Sequence, residues 1–119
     1  EEEESLMVYL GGYHNSVRRA LLQKIYAAFP DAVYCHFGDI DVGGFLIYED
    51  LRRKTGIPFQ LYRMDLDTLK EYEKYGKALT ENDRVRIEKM LKENPFVPYA
   101  DVLAYMLSAG IKLEQECIV

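Results

Sequence analysis

Two aspartates one residue apart, Asp39 and Asp41, close an apolar run and are followed at once by a glycine pair, Gly43-Gly44. In an extended segment, residues i and i+2 project from one face, about 7 Å apart along the chain. Carboxylates held that close repel each other, and a divalent cation is the simplest means of keeping both ionised. Hard oxygen donors of this kind suit Mg2+ or Mn2+. The competing reading is an acidic turn that caps the following helix, because aspartate is a favoured N-cap residue. The strand pattern before the acids and the glycines after them favour the metal site. Gly43 and Gly44 would also let a phosphate or a second chain approach with no side chain in the way.

His14 and His36 are the only histidines. His36 stands three residues before Asp39 on the expected strand, so alternation places it on the opposite face, as a packed or hydrogen-bonded core residue. His14 follows Gly11-Gly12-Tyr13 at another strand end, within reach of the same crevice, and is a candidate substrate contact. Arg18 and Arg19 open the next helix, where a cation opposes the helix dipole. Phosphate contact would account for that position, and a solvated face is the plain alternative. In Lys112-Leu113-Glu114-Gln115-Glu116, an extended chain puts Lys112, Glu114 and Glu116 on one side, and a charged terminal edge explains them most simply. Cys35 and Cys117 lack the spacing of a zinc site and read as small hydrophobes.

The elements that must position these groups follow from apolar periodicity. Leu6 to Leu10 reads as a buried strand ended by Gly11-Gly12, and Asn15 or Ser16 caps a helix whose apolar residues are Val17, Leu21, Leu22, Ile25 and Phe29. Pro30-Asp31 stops it. A second strand, Ala32 to Gly38, makes the first 40 residues a strand-helix-strand unit with parallel pairing. The spacing then predicts a helix from about Gly44 to Lys54 ended by Gly56, and a third strand from Ile57 to Met64. A short helix capped by Asp67 follows, then one opened by Thr80 with Asp83 three residues on, and a last helix from Tyr99 to Ala109. The tail Ile111 to Val119 fits a strand or a helical turn. Strands alternating with helices argue for an α/β fold, a mostly parallel sheet flanked by helices, with the acids at the strand ends where ligands collect.

At 119 residues the chain is one domain, and a hydrophobic share of 49% beside a charged share of 29% is that of an ordinary globular protein. No apolar run approaches the roughly 20 residues of a membrane span and nothing reads as a signal peptide, so no membrane partner is expected and the cytoplasm is the expected location. The net charge is −5, but without Glu1 to Glu4 the balance is −1, so charge neither supports nor excludes nucleic acid.

Taken together these motifs resemble a toprim domain, the metal-binding module of topoisomerases, primases and related nucleases, with Gly38-Asp39-Ile40-Asp41 and Gly44 similar to its Asp-x-Asp motif. Gly11-Gly12-Tyr13 with Arg18-Arg19 resembles the glycine-rich strand end and arginine-containing helix of type IIB topoisomerase A subunits. Residues 11–15, 36–45 and 112–116 are together similar to the C-terminal part of the JetD family, nuclease subunits of Wadjet anti-plasmid systems. That resemblance implies a toprim-like, Rossmann-like sheet and Mg2+- or Mn2+-dependent cleavage of double-stranded plasmid DNA beside an SMC-type complex. It also implies Asp39 and Asp41 as metal ligands and catalytic residues, Glu114 and Glu116 as a characteristic acidic ending with a share in the metal site, and His14, Arg18, Arg19, Gly43 and Gly44 as the DNA-facing set. A homodimer is compatible with it.

Toprim sites also use a glutamate at the end of an earlier strand, for which Glu1 to Glu4 are poor substitutes. The chain is therefore expected to be the C-terminal fragment of a longer protein, lacking the first strand of the sheet and weakly active or inactive alone. No winged-helix domain with a nucleophilic tyrosine is present, so hydrolysis by activated water is the expected route. Asp39 followed by Asp41 also resembles the nucleophile and acid-base pair of haloacid-dehalogenase phosphatases, but no counterpart of that group's downstream lysine and acidic pair follows Met64. A non-catalytic DNA-binding or dimerisation module, its acids serving only as caps, is the remaining alternative.

Overall fold

The computed structural model describes residues 6–10 and 14–118. The strands β1 (Leu6–Leu10), β2 (Val33–Phe37) and β3 (Gln60–Leu61) alternate with the helices α1 (Ser16–Ala28) and α2 (Val42–Thr55). The strands pair in parallel in the order β1-β2-β3, with Val8 opposite Cys35 and Cys35 opposite Gln60. Crossovers of one hand put both helices on one side of such a sheet, and α1 and α2 pack against each other. Tyr34, Cys35 and His36 are consecutive and all buried. Because successive strand side chains point to opposite faces, both faces of the central strand are covered, which is the expected α/β arrangement.

The rest of the chain is α3 (Leu66–Glu71), a 3-10 turn at Glu73–Tyr75, β4 (Lys77–Ala78), α4 (Glu81–Glu93), α5 (Ala100–Ala109), β5 (Ile111–Lys112) and a 3-10 turn at Gln115–Cys117. β4 and β5 form a small antiparallel ribbon. The core joins α2 to this second half: the Phe45 ring stacks on Tyr99 at 4.3 Å, and Leu51, Leu69, Ile87 and Leu103 are fully buried around them.

Local chemistry explains most boundaries. The Asn15 side chain accepts the Arg18 N–H at 2.9 Å and caps α1. Gly56 (φ 73°) and Gly110 (φ 71°) end α2 and α5 in the left-handed conformation that costs glycine nothing. Thr80 and Asp83 form a complete capping box on α4, at 3.0 and 2.9 Å. Thr80→Ala removes one half of it and is expected to lower stability by about 1 kcal/mol, read as a shifted midpoint in urea denaturation.

Several elements differ from the sequence expectation. β3 is two residues long instead of eight, because Tyr62 to Met64 turn away once the Tyr62 N–H has bonded the His36 carbonyl at 2.8 Å. α2 starts at Val42, two residues early, since Asp41 is its cap, and Asp65, not Asp67, holds the N-cap position of α3, its carboxylate accepting from the Thr68 hydroxyl instead of a backbone N–H, with Asp67 inside the first turn. The tail is both things in turn, a short strand and then a 3-10 turn. α1 is the largest departure: Leu22 and Ile25 pack on the core, but Val17, Leu21 and Phe29 are exposed and no residue of the helix is fully buried. The expected loop at Gly11-Gly12-Tyr13 and the residues Glu1 to Glu4 lie outside the described residues.

Candidate metal centre

β2 ends at Phe37, and the chain then leaves strand geometry. Gly38 N–H points at the Met64 sulfur at 3.4 Å. Ile40 pairs in antiparallel fashion with Leu113, its N–H donating to the Leu113 carbonyl at 2.9 Å and its carbonyl accepting the Leu113 N–H at 3.1 Å. This bridge lays the C-terminal segment along the acids. As a result the Gln115 N–H donates to Asp39 Oδ1 at 2.7 Å, and the Asp39 carboxylate is held by a backbone amide 76 positions away.

Asp41 is fixed by the helix it opens. Its Oδ1 accepts the Gly44 N–H at 2.6 Å, an N-cap bond. Gly44 is buried, and a Cβ there would lie 1.9 Å from the Asp39 carbonyl oxygen, so the missing side chain admits the chain's own backbone. Gly43 is exposed, and a Cβ there would meet only Asp41 Oδ1, at 3.5 Å.

Both carboxylates, both glycines, His36, Ile47 and Gln115 line a cleft of about 150 Å³. His36 was expected on the face opposite Asp39. It is the fully buried, hydrogen-bonded residue that was anticipated, donating Nε2–H to the Gly44 carbonyl at 3.2 Å, yet it lines this cleft because Gly38 and Asp39 no longer alternate as a strand. Burial pushes the His36 imidazole down to about 4, with the Gly44 bond opposing and His14 adding to the fall. A base buried neutral binds fewer protons folded than unfolded, so its contribution is intact above 6.5 and is lost as pH drops toward 4. Denaturation midpoints are therefore expected to fall between pH 7 and pH 5, with His36 accounting for on the order of 2 kcal/mol.

Burial raises the Asp41 carboxyl pKa above its usual value, the Gly44 bond opposes this, and the charge of Asp39 raises it further. That is the electrostatic tension a cation relieves. Among the described residues no three histidine, cysteine, aspartate or glutamate side chains gather as a metal cage. Two carboxylates on one cleft nevertheless fit a hard divalent ion such as Mg2+, which retains several waters and takes only one or two protein carboxylates beside a substrate phosphate.

Glu114 and Glu116 do not line the cleft. Glu114 is ion-paired with Lys77, which lowers its pKa, and it shares a hydrogen bond with Glu116, which raises that of Glu116. The charge of Asp39 raises Glu116 as well. Lys112 is ion-paired with Asp83 at 2.8 Å, and its charge lowers the Asp41 pKa, partly offsetting Asp39.

A larger cleft of about 750 Å³ adjoins the first, with Ile47 in the wall of both. It holds His14 and Arg19 but not Arg18. His14 is buried; its Nδ1 accepts from Arg19 at 3.1 Å, and its Nε2 faces Asp50 at 3.4 Å. Burial lowers its pKa, Asp50 opposing, with Arg19 and Lys54 lowering it further. Asp50 also binds Arg53 at 2.5 Å and Lys54 at 3.3 Å. Asp50 was missed as a site residue, although its i+3 and i+4 spacing to those two cations was visible.

Comparison with known proteins agrees on one family. Residues 1–119 match the family described as "Wadjet protein JetD, C-terminal". The chain is also 32% identical over 117 residues to the "Wadjet protein JetD" of Bacillus cereus (strain Q1), a match covering 96% of this chain and 28% of that protein.

Proposed function

Since the chain belongs to the JetD C-terminal family, we propose that it is the metal-binding domain of a DNA endonuclease that hydrolyses phosphodiesters of plasmid DNA within a Wadjet system. The observation that supports this reading best is the placement of Asp39 and Asp41 on one small cleft, each with one oxygen fixed by a backbone amide. Asp39 and Asp41 are the residues that would hold Mg2+ or Mn2+. When bound, such an ion stabilises charge on a scissile phosphate and lowers the pKa of an attacking water. Gln115 and Gly44 keep the two carboxylates from rotating, so little reorganisation accompanies binding. Exposed Gly43 leaves the approach open, and Arg19 in the adjoining cleft contacts a neighbouring phosphate, aided by His14.

The chain spans 28% of the length of its Bacillus cereus relative. Double-stranded DNA, an SMC-type complex and further ligands such as Glu116 or an upstream glutamate therefore enter as parts of the proposal for the longer protein. The test is incubation of supercoiled plasmid with the full-length protein and its Wadjet partners in Mg2+ or Mn2+. Linear or nicked product is expected, abolished by EDTA and restored by excess metal. Unchanged cutting in EDTA, or release of inorganic phosphate from small phosphoesters in place of strand cleavage, would overturn it.

A further inference from the structure

Asp50, His14 and Arg19 stand in a line in the wall of the larger cleft, and its two ends fix the state of the ring between them. A guanidinium carries donors only, so the imidazole nitrogen that meets Arg19 Nη1 at 3.1 Å must be bare. His14 therefore keeps its proton on Nε2, the nitrogen that faces the Asp50 carboxylate at 3.4 Å. The same Nη1 lies 3.4 Å from the His14 carbonyl oxygen, so Arg19 is held against one residue at two points. The His14 side chain is only 3% exposed, which shields the line from competing water.

Asp50 reaches the guanidinium through this ring and not directly. Among the described residues the cations paired with Asp50 are His14, Arg53 and Lys54, and Arg19 has no carboxylate partner. A carboxylate on Arg19 would cancel its charge, whereas a neutral imidazole orients the fork and leaves the charge for an incoming anion. His14 engages Nη1, and the rest of the fork remains to donate to a phosphate. The plain account of Asp50 is a helix-surface acid paired at i+3 and i+4, a kind of contact that contributes little to stability. That account leaves the buried histidine between Asp50 and Arg19 unexplained.

We propose that Asp50 is a positioning residue for the phosphate contact: by holding the Nε2–H form of His14 it keeps Nδ1 on Arg19 and the guanidinium fixed in the cleft beside the metal site. The phosphate rests on the endonuclease reading, and the tautomer does not.

Two variants of the full-length protein separate this role from charge. Asp50→Ala and Asp50→Asn remove the same charge opposite Arg53 and Lys54, but only asparagine keeps an oxygen that accepts Nε2–H. Alanine is the best helix former at this partly exposed site in α2, so Asp50→Ala keeps the fold. Binding of short duplex DNA in EDTA is expected to weaken about tenfold in Asp50→Ala, as in Arg19→Ala. Simple electrostatics predicts the opposite, since a negative charge beside the DNA has been removed. The two changes combined are expected to cost no more than either alone, and Asp50→Asn to recover most of the loss. With 15N-labelled histidine, the ring signals of His14, identified by their absence in His14→Gln, are expected to report Nε2–H in the wild type and Asp50→Asn and a mixture of tautomers in Asp50→Ala. An unchanged tautomer in Asp50→Ala overturns the proposal. So does binding by Asp50→Ala as tight as the wild type where Arg19→Ala weakens it, or a loss in Asp50→Asn equal to that in Asp50→Ala. If the tautomer shifts as expected while Arg19→Ala leaves DNA binding untouched, the phosphate contact falls with the endonuclease reading, and the hold of Asp50 on His14 stands.

Discussion

Gly44→Ala is expected to destabilise the domain by roughly 3 kcal/mol or more, whereas Gly43→Ala is expected to be neutral or slightly stabilising. The two glycines are adjacent in one helix turn, yet a Cβ at position 44 falls 1.9 Å from the Asp39 carbonyl oxygen, and one at 43 meets ordinary van der Waals distance. No rotamer relieves a backbone clash. Either α2 must move outward, breaking the Asp41 cap and the His36 bond to the Gly44 carbonyl, or Asp39 must move, pulling on Gln115. Gly44 is thus the point that sets the spacing of the two acids. Urea denaturation of the two variants checks this, and similar midpoints for both would refute the close approach.

Asp39→Asn and Asp41→Asn are each expected to reduce plasmid cleavage by about 100-fold or more while leaving the fold intact, since losing a ligand to a catalytic cation forfeits several kcal/mol of transition-state stabilisation. Asparagine is the informative replacement because its amide oxygen still accepts from Gln115 or Gly44. As an N-cap it equals aspartate. Asp41→Asn is also expected to stabilise the metal-free domain at neutral pH. The folded-state pKa of Asp41 is raised by burial and by Asp39, so the ionised form is disfavoured above its ordinary range and the neutral amide escapes that cost. A variant that is more stable and yet inactive separates the metal role from capping. Full activity in both asparagine variants would leave the acids with structural duties alone.

Much of this site was legible in the sequence because its determinants are local. An apolar strand ending in Asp-x-Asp and then Gly-Gly signals a strand, a turn and a helix start, and Asp41 caps α2, the role that the sequence reading placed second to a metal site. Gly56, Gly110 and the Thr80-Asp83 box were readable for the same reason. The tail was not, because its conformation follows from the bridge between Ile40 and Leu113, a long-range pairing with no local signature. That bridge makes Gln115, and not the neighbouring glutamates, the residue that touches Asp39. Periodicity found the apolar residues of α1, but a period cannot say which of two apolar sides meets this core, and Val17 and Leu21 belong to the other.

Titration of Mn2+ into the isotopically labelled domain, followed by paramagnetic broadening of amide signals, reports whether Asp39 and Asp41 together bind a divalent ion. Saturable broadening centred on residues 38–44 and Gln115, falling off with distance from Asp39 and Asp41 and abolished in the Asp39→Asn, Asp41→Asn double variant, is expected. Broadening spread evenly over the surface acids, or unchanged in the double variant, would contradict binding at that pair.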